Sequence, residues 1–152
     1  MKRLHVSFNV EDLDKSVAFY STLFQATPTV LKDDYAKWML DDPRVNFVLE
    51  GGGGSPGFGH AGIQAEDETE LDAVFESMKS AEAPYLSEGV TNCCYAKSEK
   101  SWTADPDGVM WEAFYTFHQS DERGSPNLTA DEVVELTNDP QATGGCAGGG
   151  CC

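Results

Sequence analysis

Leu4, Val6, Phe8 and Val10 alternate with Arg3, His5, Ser7 and Asn9, the period-2 pattern of a strand with one apolar face. The strand so predicted turns His5 away from its apolar side. From Leu13 the period changes. Leu13, Val17, Tyr20 and Phe24 recur at helical spacing behind Asp12, a residue suited to cap a helix N-terminus. Thr27-Pro28 predicts the end of that helix. Residues 35 to 40 and 44 to 50 then read as a hairpin around Asp41-Asp42-Pro43-Arg44. The glycine-rich stretch Gly51 to Gly59 reads as a flexible connector.

The plan then recurs. An offset of 55 residues carries His5 onto His60, Glu11-Asp12 onto Glu66-Asp67, Tyr20 onto Phe75 and Leu23 onto Met78. Ala61, Ile63 and Ala65 alternate with His60, Gly62 and Gln64, which predicts a second strand with His60 off its apolar face. Asp67 and Glu70 predict a capping-box-like start. Leu71, Val74, Phe75 and Met78 then predict a helix that ends before Pro84. The chain thus reads as one α+β domain over residues 1–117, in two modules of about 1–50 and 58–117.

Asp42-Pro43 matches Asp105-Pro106 at an offset of 63 rather than 55, so the second half carries eight additional residues between about Ala83 and Trp102. That stretch holds Cys93 and Cys94 side by side, followed by the charged run Lys97-Ser98-Glu99-Lys100. An addition to a repeated unit is a natural place for a new function to enter. Adjacent Cα atoms lie about 3.8 Å apart, short of the roughly 4.4–6.8 Å that most disulfides span. The pair therefore suits two soft ligands on one thiophilic atom better than a structural bridge. Adjacent side chains of a regular strand point to opposite faces, so the pair predicts a turn or bulge, for which Asn92 is a fitting neighbour. The alternatives are two buried small hydrophobes at the cysteines and a solvated hairpin tip at Lys97 to Lys100.

Beyond Phe117 six acids (Asp121, Glu122, Asp131, Glu132, Glu135, Asp139) face one base, Arg123, and glycines follow. Residues 118–152 read as an acidic, mostly disordered Gly/Cys-rich tail. Within it Thr129 to Leu136 predicts a short helix that would be marginal alone. Cys146, Cys151 and Cys152 are either accessory thiols that capture soft metals or plain exposed thiols on that tail.

A chain of 152 residues with 40% hydrophobic content has room for one proper core. Its five clustered cysteines point to reduced, ligating thiols and, with no apolar stretch of bilayer length, to the cytoplasm. A net charge of −16 repels nucleic acid and anionic membranes and suits a small neutral or cationic substrate.

His5, His60 and Glu112 occupy corresponding strands of the two halves. An isolated strand histidine is more often a hydrogen-bonded structural residue than a ligand. Here two recur at one phase of a repeat, and Glu112 lies in the otherwise apolar run Val109-Met110-Trp111 to Ala113-Phe114-Tyr115, where a cation would offset its burial. Two imidazoles and a carboxylate can form the facial triad of non-haem Fe(II), and they also satisfy Zn²⁺. His118 reads as an exposed strand-end residue.

Paired units with His, His and Glu in these strands resemble the vicinal oxygen chelate superfamily, over residues 2 to 116. More narrowly, the stretch from Tyr35 to Phe47, and Cys93-Cys94-Tyr95-Ala96 followed by Lys100-Ser101-Trp102 and Asp105-Pro106, are similar to the organoarsenical carbon–arsenic lyases and cadmium-induced proteins. The resemblance implies two tandem βαβββ modules forming a curved mixed sheet around a metal site. It also implies an Fe(II)- and O₂-dependent enzyme that releases arsenite from trivalent organoarsenicals such as methylarsenite or aromatic arsenicals. His5, His60 and Glu112 would hold the metal, with Ni, Co or Zn able to substitute for iron, and Cys93 and Cys94 would hold the arsenic. Residues 92 to 101, with Lys97 and Lys100, are expected to form a mobile lid. A homodimer is an expectation of the architecture that no residue marks. The competing reading is a non-catalytic cadmium- or arsenite-binding resistance protein. A glyoxalase or thiol transferase is disfavoured because Val45-Asn46-Phe47-Val48-Leu49 offers no central ligand and Glu50 lies at the end.

Overall fold

A computed structural model describes residues 1–52, 54–93, 95–120, 122–124 and 130–138. The chain runs β1 (Arg3–Val10), α1 (Leu13–Phe24), β2 (Val30–Lys32), β3 (Tyr35–Asp41) and β4 (Arg44–Gly51). The second module follows as β5 (Gly57–Gln64), α2 (Glu68–Lys79), β6 (Tyr85–Cys93), β7 (Ala96–Ala104) and β8 (Met110–Gln119), and α3 (Ala130–Asn138) comes last. All eight strands form one curved sheet in the order β2-β3-β4-β1-β5-β8-β7-β6, so the two βαβββ modules meet edge to edge. Within each module the first strand lies parallel to the last, β1 beside β4 and β5 beside β8. Between modules β1 and β5 run antiparallel, with His5 opposite Gly62 and Ser7 opposite His60.

Local sequence explains the helices. Asp12 caps α1 by accepting from the Lys15 amide at 3.0 Å, and Asp67 caps α2 by accepting from the Glu70 amide at 2.8 Å. Glu70 reaches back to the amide of Glu66 rather than of Asp67, a capping box displaced by one residue. Helix α1 ends at Gln25, whose left-handed backbone (φ 52) returns its N–H to Ser21 and Thr22, before Thr27-Pro28 is reached. The apolar stripe of α1 packs on Trp38, Phe47 and Leu49, and Leu71, Val74, Phe75 and Met78 of α2 pack on Ala65 and Ala113. Both helices therefore cover one side of the sheet, and the other side holds the histidines.

The connector is shorter than Gly51 to Gly59 suggests. Gly51 pairs with Val10 and Gly57 with Asn9, because a glycine still offers both ladder groups. The added residues of the second half lengthen a hairpin. Three residue pairs join β2 to β3, whereas eight join β6 to β7. Residues 96–101, part of the expected lid, are ladder-paired to both β6 and β8, so Lys97 and Lys100 belong to a strand of the sheet. The chain turns between Cys93 and Ala96, which pair across the hairpin end, and Tyr95 takes φ 66. A turn at that place is what adjacent thiols require.

The tail expectation also changes. Strand β8 continues to Gln119, and α3 buries Val133 completely against Trp102, Met110 and Leu86. Packing supplies what a helix of this length lacks alone. Cys94, Cys146, Cys151 and Cys152 lie outside the described residues, as does the expected cap Thr129. Among the described residues no helix is long and apolar enough to cross a membrane.

Leu71 is 1% exposed at the centre of the α2 contact. Leu71→Ala is expected to cost about 3 kcal/mol through lost burial and the cavity it leaves, measured as a lower urea midpoint with an unchanged slope.

Candidate functional site

Register brings the candidate ligands together. His5 and His60 lie two pairs apart on adjacent antiparallel strands and project from the same face. Glu112 stands opposite Gly62 on β8. The ring nitrogens Nε2 of His5 and His60 are 3.1 Å apart, and Glu112 Oε2 lies 3.6 Å from the first and 3.7 Å from the second. All three side chains are buried, with ligand atoms within 4.8 Å of one another. Metal–ligand bonds of about 2.1 Å would set donors about 3.0 Å apart at a right angle and about 3.4 Å apart at a tetrahedral one. The donor set therefore fits a divalent cation.

Gly62 is where the packing leaves no slack. A Cβ there would lie 2.6 Å from the carbonyl oxygen of Glu112 and 3.2 Å from Cδ2 of His5. A side chain would force β5 away from β8 and press on a ligand ring.

The backbone carbonyl of Asn46 faces His5 Nδ1 at 3.1 Å. A carbonyl can only accept, so Nδ1 carries the proton and Nε2 presents its lone pair to the centre. Burial, reinforced by His60 and Lys100, pushes His5 down to about 4 against the opposing pull of Glu112. Burial alone would raise the Glu112 carboxyl, but Lys100 and the two imidazoles outweigh it and hold it well below the usual carboxylate range. Lys100 Nζ donates to Glu112 Oε1 at 2.5 Å. The edge of His60 meets Trp102, centroids 5.2 Å apart.

His5, His60, Lys100 and Glu112 line a cavity of about 50 Å³, bounded on the first-module side by Lys37, Asn46, Val48 and Glu50. Val48 occupies the place that Glu112 holds in the second module, since it pairs with Ser7 as Glu112 pairs with Gly62, two positions beyond each histidine. One module supplies a carboxylate there and the other supplies none. Asn46 Oδ1 is buried without a hydrogen-bond partner, an acceptor that a water held on a cation would satisfy. Lys37 donates to Gln119 Oε1 at 3.1 Å, and burial lowers its ammonium from the ordinary value.

Ala96, which follows the turn, is part of the cavity lining. Tyr95 donates to Asp34 Oδ1 at 2.7 Å. Arg123 pairs with Asp34 and, at 3.3 Å, with Glu50, which accepts from Ser7 Oγ at 3.0 Å. The Tyr95 hydrogen bond, followed by Arg123, holds the Asp34 carboxyl below its usual range. A polar chain thus ties the turn to the β2–β3 corner and to the site wall.

Of the expected site residues, His5, His60, Glu112 and Lys100 converge, Lys97 is exposed on β7, and His118 is exposed near the end of β8. Cys93 closes β6, and its side chain is outside the described residues. Sequence reading missed Lys37, Asn46, Gly62 and Tyr95. The available signal was their phase: Lys37 on β3 and Asn46 on β4 alternate with the apolar residues that face α1.

Gly62→Ala is expected to weaken binding of Co(II) or Fe(II) at least tenfold while the far-ultraviolet circular dichroism is retained, as calorimetric titration will show. His5 supplies a pH dependence. The fold keeps its imidazole neutral, so the unfolded chain binds the extra proton. The stabilisation is complete above pH 6.5 and is lost as pH falls toward about 4. For metal-free protein we expect a loss of order 3 kcal/mol across that window, largely absent in His5→Gln, read from urea midpoints at each pH.

Residues 2–113 match the Glyoxalase/Bleomycin resistance protein/Dioxygenase superfamily. The chain is 46% identical, over 76% of its length and 74% of the relative's, to the trivalent organoarsenical cleaving enzyme of Bacillus sp. strain MD1. It is 31% identical to the cadmium-induced protein CadI of Mycobacterium tuberculosis strain H37Rv, over 97% of this chain and all of that one. Among solved structures, the Mn(II)-bound glyoxalase of Novosphingobium aromaticivorans superposes with a TM-score of 0.56 at 19% identity, over 85% of this chain and 44% of that one. An extradiol ring-cleaving dioxygenase from B. fuscum gives 0.58 at 15% identity, over 78% and 34%. With paired modules joined at an antiparallel seam and a match running from residue 2 to residue 113, the chain belongs to the glyoxalase, bleomycin resistance protein and dioxygenase superfamily.

Proposed function

We propose that this protein cleaves the carbon–arsenic bond of trivalent organoarsenicals and releases inorganic arsenite, with His5, His60 and Glu112 holding Fe(II), O₂ as co-substrate, and Cys93 and Cys94 holding the arsenic. The observation that carries the reading is a buried His-His-Glu cluster in a chain that carries Cys93 and Cys94 side by side in sequence and is 46% identical to an organoarsenical cleaving enzyme. Two histidines and one carboxylate are a donor set suited to iron, which when bound would supply the oxidative chemistry.

The remaining work falls to the chain. Each thiolate displaces an oxygen ligand of arsenic, and the second sulfur bond forms within one turn at little further cost in entropy. Lys97, exposed on the strand leaving the turn, favours the thiolate form by its charge. The arsenic so held would present its organic substituent to the metal, and the Tyr95–Asp34 hydrogen bond anchors the turn to the β2–β3 corner. The surface charge of −16 suits a neutral arsenical over an anionic one. Cys146, Cys151 and Cys152 would serve as accessory thiols.

A second reading, sequestration of cadmium or arsenite without turnover, is favoured by the full-length similarity to CadI. One experiment separates the two. Protein reconstituted anaerobically with Fe(II) is given methylarsenite in air, and arsenite is read by chromatography with elemental detection. Cleavage predicts arsenite release that is lost, by at least a hundredfold, in both His60→Ala and Cys94→Ala but retained when the three tail cysteines are removed. Tight arsenic binding with no release under Fe(II) or any other divalent metal would support sequestration.

A further inference from the structure

We propose that Lys100 is a positioning residue that restricts Glu112 to one-oxygen ligation, and so keeps a coordination position open for dioxygen. The inference rests on the reading of His5, His60 and Glu112 as a metal triad. Its ground is the way the Glu112 carboxylate is divided. Oε1 accepts from Lys100 Nζ at 2.5 Å, while Oε2 faces the two imidazole nitrogens at 3.6 and 3.7 Å. Both side chains are almost fully buried, 6% and 5% exposed.

Strand geometry builds this division in. On β7, Lys100 and Trp102 project to the same face, and Trp102 is the register partner of Glu112. Lys100 therefore reaches Glu112 on the diagonal and from the side away from the histidines. Other donors nearby are committed elsewhere: Trp102 Nε1 donates to Glu88 and Ser98 pairs with Thr116. With Lys100 removed, Oε1 is buried without this donor and turns toward the cation as a second ligand.

Counting coordination positions shows what is at stake. A six-coordinate cation held by two histidines and a chelating carboxylate keeps two positions open, and one held by a single carboxylate oxygen keeps three. Beyond His5 the first module offers no ligand at the matching position, since Val48 stands in the place of Glu112. Of these two matched positions, only Glu112 can supply an oxygen to that third site. The arrangement also runs against metal affinity, because an ammonium beside the site repels a dication. A lysine kept there for structure alone would not require this conflict.

The conflict gives the test its sign. In Lys100→Met we expect Fe(II) to bind as tightly as in the wild type or up to about tenfold tighter, because the repelling charge is gone. We expect affinity for nitric oxide, a dioxygen surrogate, to fall at least tenfold under anaerobic conditions, read from the paramagnetic resonance signal of its adduct with Fe(II). Lys100→Arg, which keeps a cationic donor for Oε1, is expected to restore nitric oxide affinity to within about threefold. Weaker Fe(II) binding in Lys100→Met, or unchanged nitric oxide affinity in it, overturns the inference, and so does loss in Lys100→Arg as deep as in Lys100→Met. Thermal melts of each variant identify any that fails to fold, in which case the other decides. Wild-type protein that binds no divalent metal overturns the triad reading and this inference with it. The expected pattern without arsenite release supports the role of Lys100 and counts against the cleavage reaction alone.

Discussion

The antiparallel seam between β1 and β5 is the constraint on which the site depends. His5 and His60 are 55 residues apart in sequence, yet the pairing of His5 with Gly62 and of Ser7 with His60 sets their rings side by side. A shift of one residue in that register would send one histidine to the helix-covered face. The parallel contact of β5 with β8 then carries Glu112 to the same point. Gly62 belongs to both contacts, which makes a residue without a side chain the closest-packed element of the centre.

Four polar groups meet in the interior: two imidazoles, a carboxylate and an ammonium. Burying any one alone would be costly. Together they lower one another's cost, with His5 kept neutral and Glu112 kept charged. Such a cluster does not add stability by itself. The apolar layers under α1 and α2 carry that task, and they lie on the opposite side of the sheet. The separation lets one face be chosen for packing and the other for chemistry.

Much of this was legible in the sequence where periodicity was strong. Strand β1, both main helices with Asp12 and Asp67, and the β3–β4 hairpin follow from amphipathic spacing, and the internal repeat singled out His5 and His60. Strand β7 was hidden because Lys97-Ser98-Glu99-Lys100 is a charged run. In the fold Ser98 and Lys100 are buried by polar partners, Thr116 and Glu112. Alternation tells which residues share a face. It does not tell whether a polar face meets water or encloses a cavity, and for that reason Lys37 and Asn46 went unrecognised as site residues and Lys100 was assigned to a lid rather than to the metal centre. The docking of α3 was hidden too, since among the described residues its buried contact is Val133 against a distant tryptophan.

The exchange of a carboxylate for Val48 at matching positions carries a consequence of its own. Two separate copies of one module, joined by the same self-complementary edge, would be bound to a two-fold axis, and every group on one side would recur on the other. Covalent linkage of the halves removes that obligation. The second module sets a carboxylate at that position, and the first leaves an apolar gap there. The centre accordingly has a front and a back, and a guest entering it meets a handed environment that no symmetric pair of modules can offer.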